Sequence, residues 1–321
     1  MEKNVELRVL EALAVRGVPV DEAALSNLRA GYEGEQKFAR AVVEFGLSHL
    51  MWVEDYWFKV GNGPKRQPDF LLILPYEWVA IDVKNYQSRF EYREGKCYLN
   101  GGTTPMDNIV VAAQNRNQSL QKVAREVAGN ISVRSALVFI NENCHVYQDD
   151  MPCDVELVPR TLLKPFLEQY LGTGVVKDWL RDRTLSVLDK YQTEYGFEVK
   201  GLRVEQFGEL RRGIVCGGCG QYGLVKNKLH IHCPHCGAEE ATGDVVKRHA
   251  LQLRLVFYDN PEMVTIKNVY ELMGGGITQR TVRTYMYKQF KVVNKARASY
   301  YDIDLSAKKS VTLLSDGISS V

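Results

Sequence analysis

Residues 68–85, PDFLLILPYEWVAIDVKN, constrain the chain more than any other stretch. Two apolar runs flank a short turn at Pro75, Tyr76 and Glu77. The first run, residues 70–74, is apolar on both faces, which predicts a strand inside a sheet rather than at its edge. The second alternates: Val79, Ile81 and Val83 point one way, and Ala80, Asp82 and Lys84 the other. Asp82 and Lys84 therefore share a face, roughly 6–7 Å apart along the strand. Asp69 stands at the mouth of the first strand. Two carboxylates and a lysine beside an apolar sheet predict a site for a divalent cation such as Mg²⁺, which takes oxygen ligands and retains waters. The lysine can orient or deprotonate such a water, or stabilise charge on a phosphate. An Asp and a Lys on one strand also pair in solvent without any chemistry, so this triplet alone decides little.

The surroundings add to it. Residues 31–50 read as an amphipathic helix with Phe38, Ala41, Val42 and Phe45 on one face. Glu35 falls at the edge of that face, where an acid would lie near the sheet. A solvated Glu favoured by the helix dipole is the plainer alternative. Residues 51–60 read as an aromatic strand. Lys65, Arg66 and Gln67 bring positive charge to the approach to Asp69, where a phosphate could sit. A hairpin is expected over residues 89–99, turning at Glu94 and Gly95. A long helix follows over 107–128 and carries Gln114, then a strand over 134–140. Helices over 160–170 and 175–191 close the region. Hairpin strands followed by a strand reached through a helix predict a mixed α/β sheet with helices on its faces.

In this order, GYEGEQKF, PDFLLI, AIDVKN, PMDNIVVAAQN and VFI resemble the nuclease-related domain, NERD, of the PD-(D/E)XK restriction-endonuclease-like superfamily. The resemblance covers roughly residues 30–170. It implies a restriction-endonuclease-like fold and hydrolysis of DNA phosphodiester bonds. It also implies one active site lined by Glu35, Asp69, Asp82, Lys84 and Gln114. Asp69 and Asp82, with Glu35 directly or through water, would hold Mg²⁺ or Mn²⁺. NERD usually has Glu where this chain has Asp82, and the wider superfamily accepts either. A degenerate nuclease fold used as the scaffold of a DNA-binding regulator is the competing reading.

A second signal lies downstream. Cys216 and Cys219, then thirteen residues, then Cys233 and Cys236 form two C-x-x-C pairs. Each pair can make a turn with both thiolates on one ion, and two pairs complete a tetrahedral Zn²⁺ site. This resembles a zinc ribbon with structural zinc; a redox dithiol is the alternative. His230, His232 and His235 lie nearby, but four thiolates already complete the site.

Residues 245–304 read as three helices followed by a two-stranded hairpin, which looks like a winged helix-turn-helix. Between Glu262 and Tyr300 there are seven Lys or Arg and two Glu, a local charge of +5 in a chain whose net charge is +2. Thr278, Gln279, Arg280 and Arg283 would face a major groove, and Lys295 and Arg297 on the wing would meet phosphates. A protein-contact role is the alternative.

The organisation expected is a helical lead-in (1–29), the nuclease-like domain (30–200), the ribbon (210–242), the winged helix (245–304) and a disordered polar tail (305–321). The chain has 321 residues, 45% of them hydrophobic and 25% charged, as in ordinary globular proteins. Seven cysteines, an odd number, do not make a disulfide framework. No apolar run reaches membrane-spanning length, and the N-terminus lacks a signal-peptide core, so the chain reads as cytoplasmic. Its expected partners are DNA, a second copy of itself, since two strands need two sites, and an effector in DNA defence or repair.

Overall fold

The computed structural model describes residues 3–194, 199–227, 229–295 and 298–305. They divide into two compact units. One spans residues 27–194; the other combines residues 3–26 with residues 199–305.

Helix α1 (Val5–Val15) is capped by Asn4, whose side chain accepts the Leu7 N–H. Helix α2 (Glu22–Glu44) starts earlier than the expected Gly31. Asp21 caps it, accepting the Ala23 and Ala24 N–H groups at 2.9 and 3.0 Å. Gly31 and Gly34 consequently lie inside the helix.

The first unit is built on five strands in the order β1-β2-β3-β6-β8. They are β1 (Met51–Glu54), β2 (Phe70–Ile73), β3 (Glu77–Lys84), β6 (Ser132–Phe139) and β8 (Val155–Pro159). Between β3 and β6 come β4 (Phe90–Arg93), β5 (Lys96–Leu99) and helix α3 (Ile109–Val127); β7 (Val146–Gln148) precedes β8. Helices α4 (Leu163–Glu168) and α5 (Asp178–Tyr191) follow. β1, β2 and β3 pair antiparallel, while β3, β6 and β8 run parallel, so the sheet is mixed as expected. β1 ends sooner than the sequence predicts. Asp55 takes a positive φ of 50° there, and its carboxylate accepts from Trp57 Nε1 and Gln67 Nε2, turning the chain out of the strand.

β3 is central, and its alternation decides which helix covers which face. Val79, Ile81 and Val83 join Phe70 and Leu72 against Phe38, Ala41 and Val42 of α2. Trp78 and Ala80 join Leu71 and Ile73 against Leu120, Val123 and Ala124 of α3. Asp82 continues the second face. β5, β4 and β7 form a separate small sheet.

The second unit holds strands β9 (Val225–Asn227), β10 (His230–His232) and β11 (Glu239–Ala241) in one antiparallel sheet. Helices α6 (Thr242–Val256), α7 (Ile266–Leu272) and α8 (Gln279–Gln289) follow, then the hairpin β12 (Lys291–Lys295) and β13 (Ala298–Asp302). Val9, Ala12 and Leu13 of α1 share one apolar cluster with Ile214, Ile231 and residues of α6, α7 and α8. Arg16, fully buried, donates to Gln252 Oε1 at 3.0 Å and to the Gly213 carbonyl at 3.0 Å. The N-terminal helix thus packs in the C-terminal unit, a long-range pairing with no local sequence signal. No described helix is long and apolar enough to cross a membrane.

Candidate active site and metal centre

The hairpin register places Asp69 and Asp82 together. Phe70 pairs with Ile81, so continuing the antiparallel register sets Asp69, just before Phe70, opposite Asp82 towards the carboxyl end of β3. Asp69 Oδ2 accepts the Val83 N–H at 2.7 Å, which pins the carboxylate to the strand bearing Asp82 and Lys84. Charge couples the three. Burial, then the negative charge of Asp82, pushes the Asp69 carboxyl up to about 6, against the pull of Lys84, the Val83 N–H and Arg116. Burial works against the Lys84 ammonium, but Asp82 and Asp69 outweigh it and hold its pKa above the ordinary lysine value. Lys84 is therefore a cation at neutral pH and not a base for removing a proton from water.

The raised Asp69 value has a signed consequence. The folded chain keeps a proton that the unfolded chain releases from its ordinary value of 3.8 upward. Asp69 therefore subtracts stability progressively as pH rises from about 4 to 6, and by a constant amount above that.

Glu35 lies on α2, next to the point where that helix meets the sheet. A Cβ on Gly34 would lie 2.9 Å from Asn85 Cβ and 3.3 Å from Ile140 Cγ2, so the helix can approach the ends of β3 and β6 only with glycine there. Asn85 Nδ2 donates to the Ala30 carbonyl at 2.8 Å and Asn141 Nδ2 donates to Asn85 Oδ1 at 2.9 Å, fastening the junction. Glu35 is half-buried next to this contact. Gln114 is half-buried on α3 and, among the described residues, no hydrogen bond joins it to Asp69, Asp82 or Lys84.

Two residues of the site escape sequence reasoning. Arg116, 5% exposed, puts Nη1 at 2.8 Å from both oxygens of Asp82, itself 8% exposed. Its Nη2 donates to Ser135 Oγ, which donates to Asn117 Oδ1; Asn117 Nδ2 donates to Asp154. The signal was present in the sequence: Ala113, Arg116, Asn117 and Leu120 recur at helical spacing, so a charge and an amide sit within the apolar stripe of α3. Tyr86 continues the alternation of Asp82 and Lys84 beyond the strand. Its ring lies 6.4 Å from Phe90 and 6.1 Å from Phe139, and burial raises its pKa while the nearby Lys84 charge opposes that.

Residues 30–140 match the family model of the nuclease-related domain, NERD. The matched stretch runs from within α2 to just past β6 and contains Glu35, Asp69, Asp82, Lys84, Gln114 and Arg116. It ends well before the cysteines. Neither the comparison with curated proteins nor that with solved structures returns a match.

In the second unit the four ligand atoms of Cys216, Cys219, Cys233 and Cys236 all lie within 4.8 Å of one another. The Sγ pairs 216–236 and 219–233 are each 3.6 Å apart. A tetrahedron of Zn–S bonds about 2.3 Å long has edges of about 3.8 Å, so the cluster can hold zinc. The two turns repeat one geometry. Gly220 N–H donates to the Cys216 carbonyl and Gly237 N–H to that of Cys233, at φ of 71° and 77° that favour glycine. The first turn is anchored to α6: Arg248 Nη1 donates to the Val215 carbonyl at 2.6 Å, and His249 Nε2 accepts the Val215 N–H at 3.1 Å. Burial, then the charges of Arg16 and Arg248, lowers His249 to about 3, so its ring is neutral.

Thr278 caps α8, accepting the Thr281 N–H, and Gln279, Arg280 and Arg283 are exposed beside it. Tyr287 and Lys288 extend the exposed face. Lys295 ends β12, and Arg297 lies outside the described residues.

Proposed function

We propose that the nuclease-related domain is a metal-dependent phosphodiesterase acting on DNA, and that the second unit brings it to that substrate. The observation that supports this most is the convergence of Asp69, Asp82 and Lys84 at one end of the central strands. The donor set fits a hard divalent cation: carboxylate oxygens of Asp69 and Asp82 match the preference of Mg²⁺ and Mn²⁺, and Glu35 would assist through water. Arg116 occupies one lone-pair direction on each Asp82 oxygen and leaves the others. When bound, such an ion lowers the pKa of water and offsets charge on phosphate.

The chain's own residues supply the rest. Lys84, a fixed ammonium, orients the attacking water and stabilises the charge that grows on the phosphate oxygens. Water oxygen bonds to phosphorus as the bond to the leaving sugar oxygen breaks; the water gives its proton to solvent and the leaving oxygen takes one up from solvent. Arg116 holds Asp82 in one orientation, and Gln114 on α3 would help orient the substrate. Cys216, Cys219, Cys233 and Cys236 would hold zinc in a structural role. Helices α6 to α8 with the β12–β13 hairpin act as a winged helix: α8 presents Gln279, Arg280 and Arg283 to a groove, and the hairpin meets phosphates. A second copy of the chain would supply the second cut of a duplex, and a defence or repair setting fits such an activity.

The competing regulator needs no divalent ion at Asp69 and Asp82. Titration of the zinc-loaded protein with Mn²⁺, followed by electron paramagnetic resonance, separates the two. One Mn²⁺ per chain is expected, lost in Asp82→Ala. Because Asp69 must release its proton, affinity should rise between about pH 5 and 7 and then level off. Absence of a site, or a site indifferent to Asp82→Ala, favours the regulator.

A further inference from the structure

Beside the carboxylate pair stand two arginines with capacity left over. Arg116 is committed to Asp82, to Ser135 and, through Nη1 at 3.3 Å, to the carbonyl of Gln67. That last contact ties it to the segment carrying Arg66. Arg66 is fixed by its main chain: its N–H donates to the Phe58 carbonyl and its carbonyl accepts the Phe58 N–H, both at 2.9 Å. Neither arginine is idle surface. The Nε atoms of both are buried and have no hydrogen-bond partner among the described residues. No described carboxylate pairs with Arg66, whereas Arg116 already has Asp82. Burial, then the charge of Arg116, lowers the pKa of Arg66, as expected of two like charges held close together.

Two cations left mutually repelling and short of acceptors need an anion between them or beside them.

We infer that Arg66, backed by Arg116, forms a phosphate-binding subsite for the nucleic-acid backbone beside the Asp69–Asp82 centre. The inference rests on the nuclease reading for its choice of ligand, a phosphodiester in a polynucleotide. Arg66 is half-buried and accessible, whereas Arg116 is enclosed, so Arg66 makes the direct contact.

The test is binding of a fluorescein-labelled DNA duplex by the full zinc-loaded chain in Ca²⁺, which needs no cleavage, over a series of salt concentrations. Arg66→Gln should weaken binding about three- to tenfold, and the slope of log affinity against log salt should shrink by about one phosphate. Arg66→Lys should restore most of the slope. Melting curves check that both variants fold. An unchanged slope in Arg66→Gln, or no duplex binding by the wild type, overturns the subsite. The two readings fail separately. Duplex binding with an unchanged Arg66→Gln slope, in a protein that cuts DNA, removes the subsite and leaves the nuclease. A reduced slope in a protein that never cuts DNA keeps the subsite and removes the nuclease.

Discussion

Lys84→Ala is expected to slow plasmid cleavage by about a thousandfold or more, a loss of about 4 kcal/mol of transition-state stabilisation. The size follows from where the ammonium sits: beside two carboxylates in a half-buried site, where charge is poorly screened and water does not substitute for it. The fold should survive the change. Arg116 still pairs with both oxygens of Asp82, and Asp69 keeps the Val83 N–H and can take up a proton, so neither carboxylate is left as an unpaired buried charge. The melting temperature should therefore stay within a few degrees of wild type, and Mn²⁺ should still bind. Lys84→Arg keeps the charge but not the compact ammonium, and should fall between the two. Cleavage by Lys84→Ala at the wild-type rate would contradict the role given to this residue.

Replacing Cys216 and Cys233 with serine together should remove zinc and unfold much of the second unit. Structural zinc in small domains contributes about 10 kcal/mol or more, comparable to the whole stability of a domain. The damage should spread beyond the ribbon. Ile214 and Ile231 belong to the same apolar cluster as α1, α6, α7 and α8, and Val215 is hydrogen-bonded to both Arg248 and His249. Zinc content by mass spectrometry, together with limited proteolysis, reads this out. The expected result is loss of the metal with rapid cutting in residues 199–305, while fragments from residues 27–194 persist. Full protection of the second unit without zinc would show that its apolar core suffices.

What the sequence reveals here follows the range of the interactions. The β2–β3 hairpin is legible because a short turn fixes its register, and alternation then puts Asp69, Asp82 and Lys84 on one face. The cysteine pairs are legible because zinc geometry is local to each turn. The start of α2 is missed because Gly31 and Gly34 look like breaks. Gly34 is inside the helix for a reason that only the tertiary contact with Asn85 supplies. Arg116 is missed because its partner, Asp82, is far away in the chain, although its place in the apolar stripe of α3 marks it as buried. The small sheet of β5, β4 and β7 is only half legible. Its hairpin is local, but β7 joins by parallel pairing across α3 and β6. The docking of α1 into the second unit has no local cue at all.

The central claim, that Asp69, Asp82 and Lys84 form a metal-dependent nuclease centre, is tested most directly with supercoiled plasmid. Wild-type protein and the Asp82→Ala, Lys84→Ala double variant are incubated with Mg²⁺ or Mn²⁺, and with a chelator as control. Nicked and linear products are expected from the wild type only when the divalent ion is present, and none from the double variant. Plasmid that stays supercoiled with the wild type while still being bound, or equal cutting by the double variant, would contradict it.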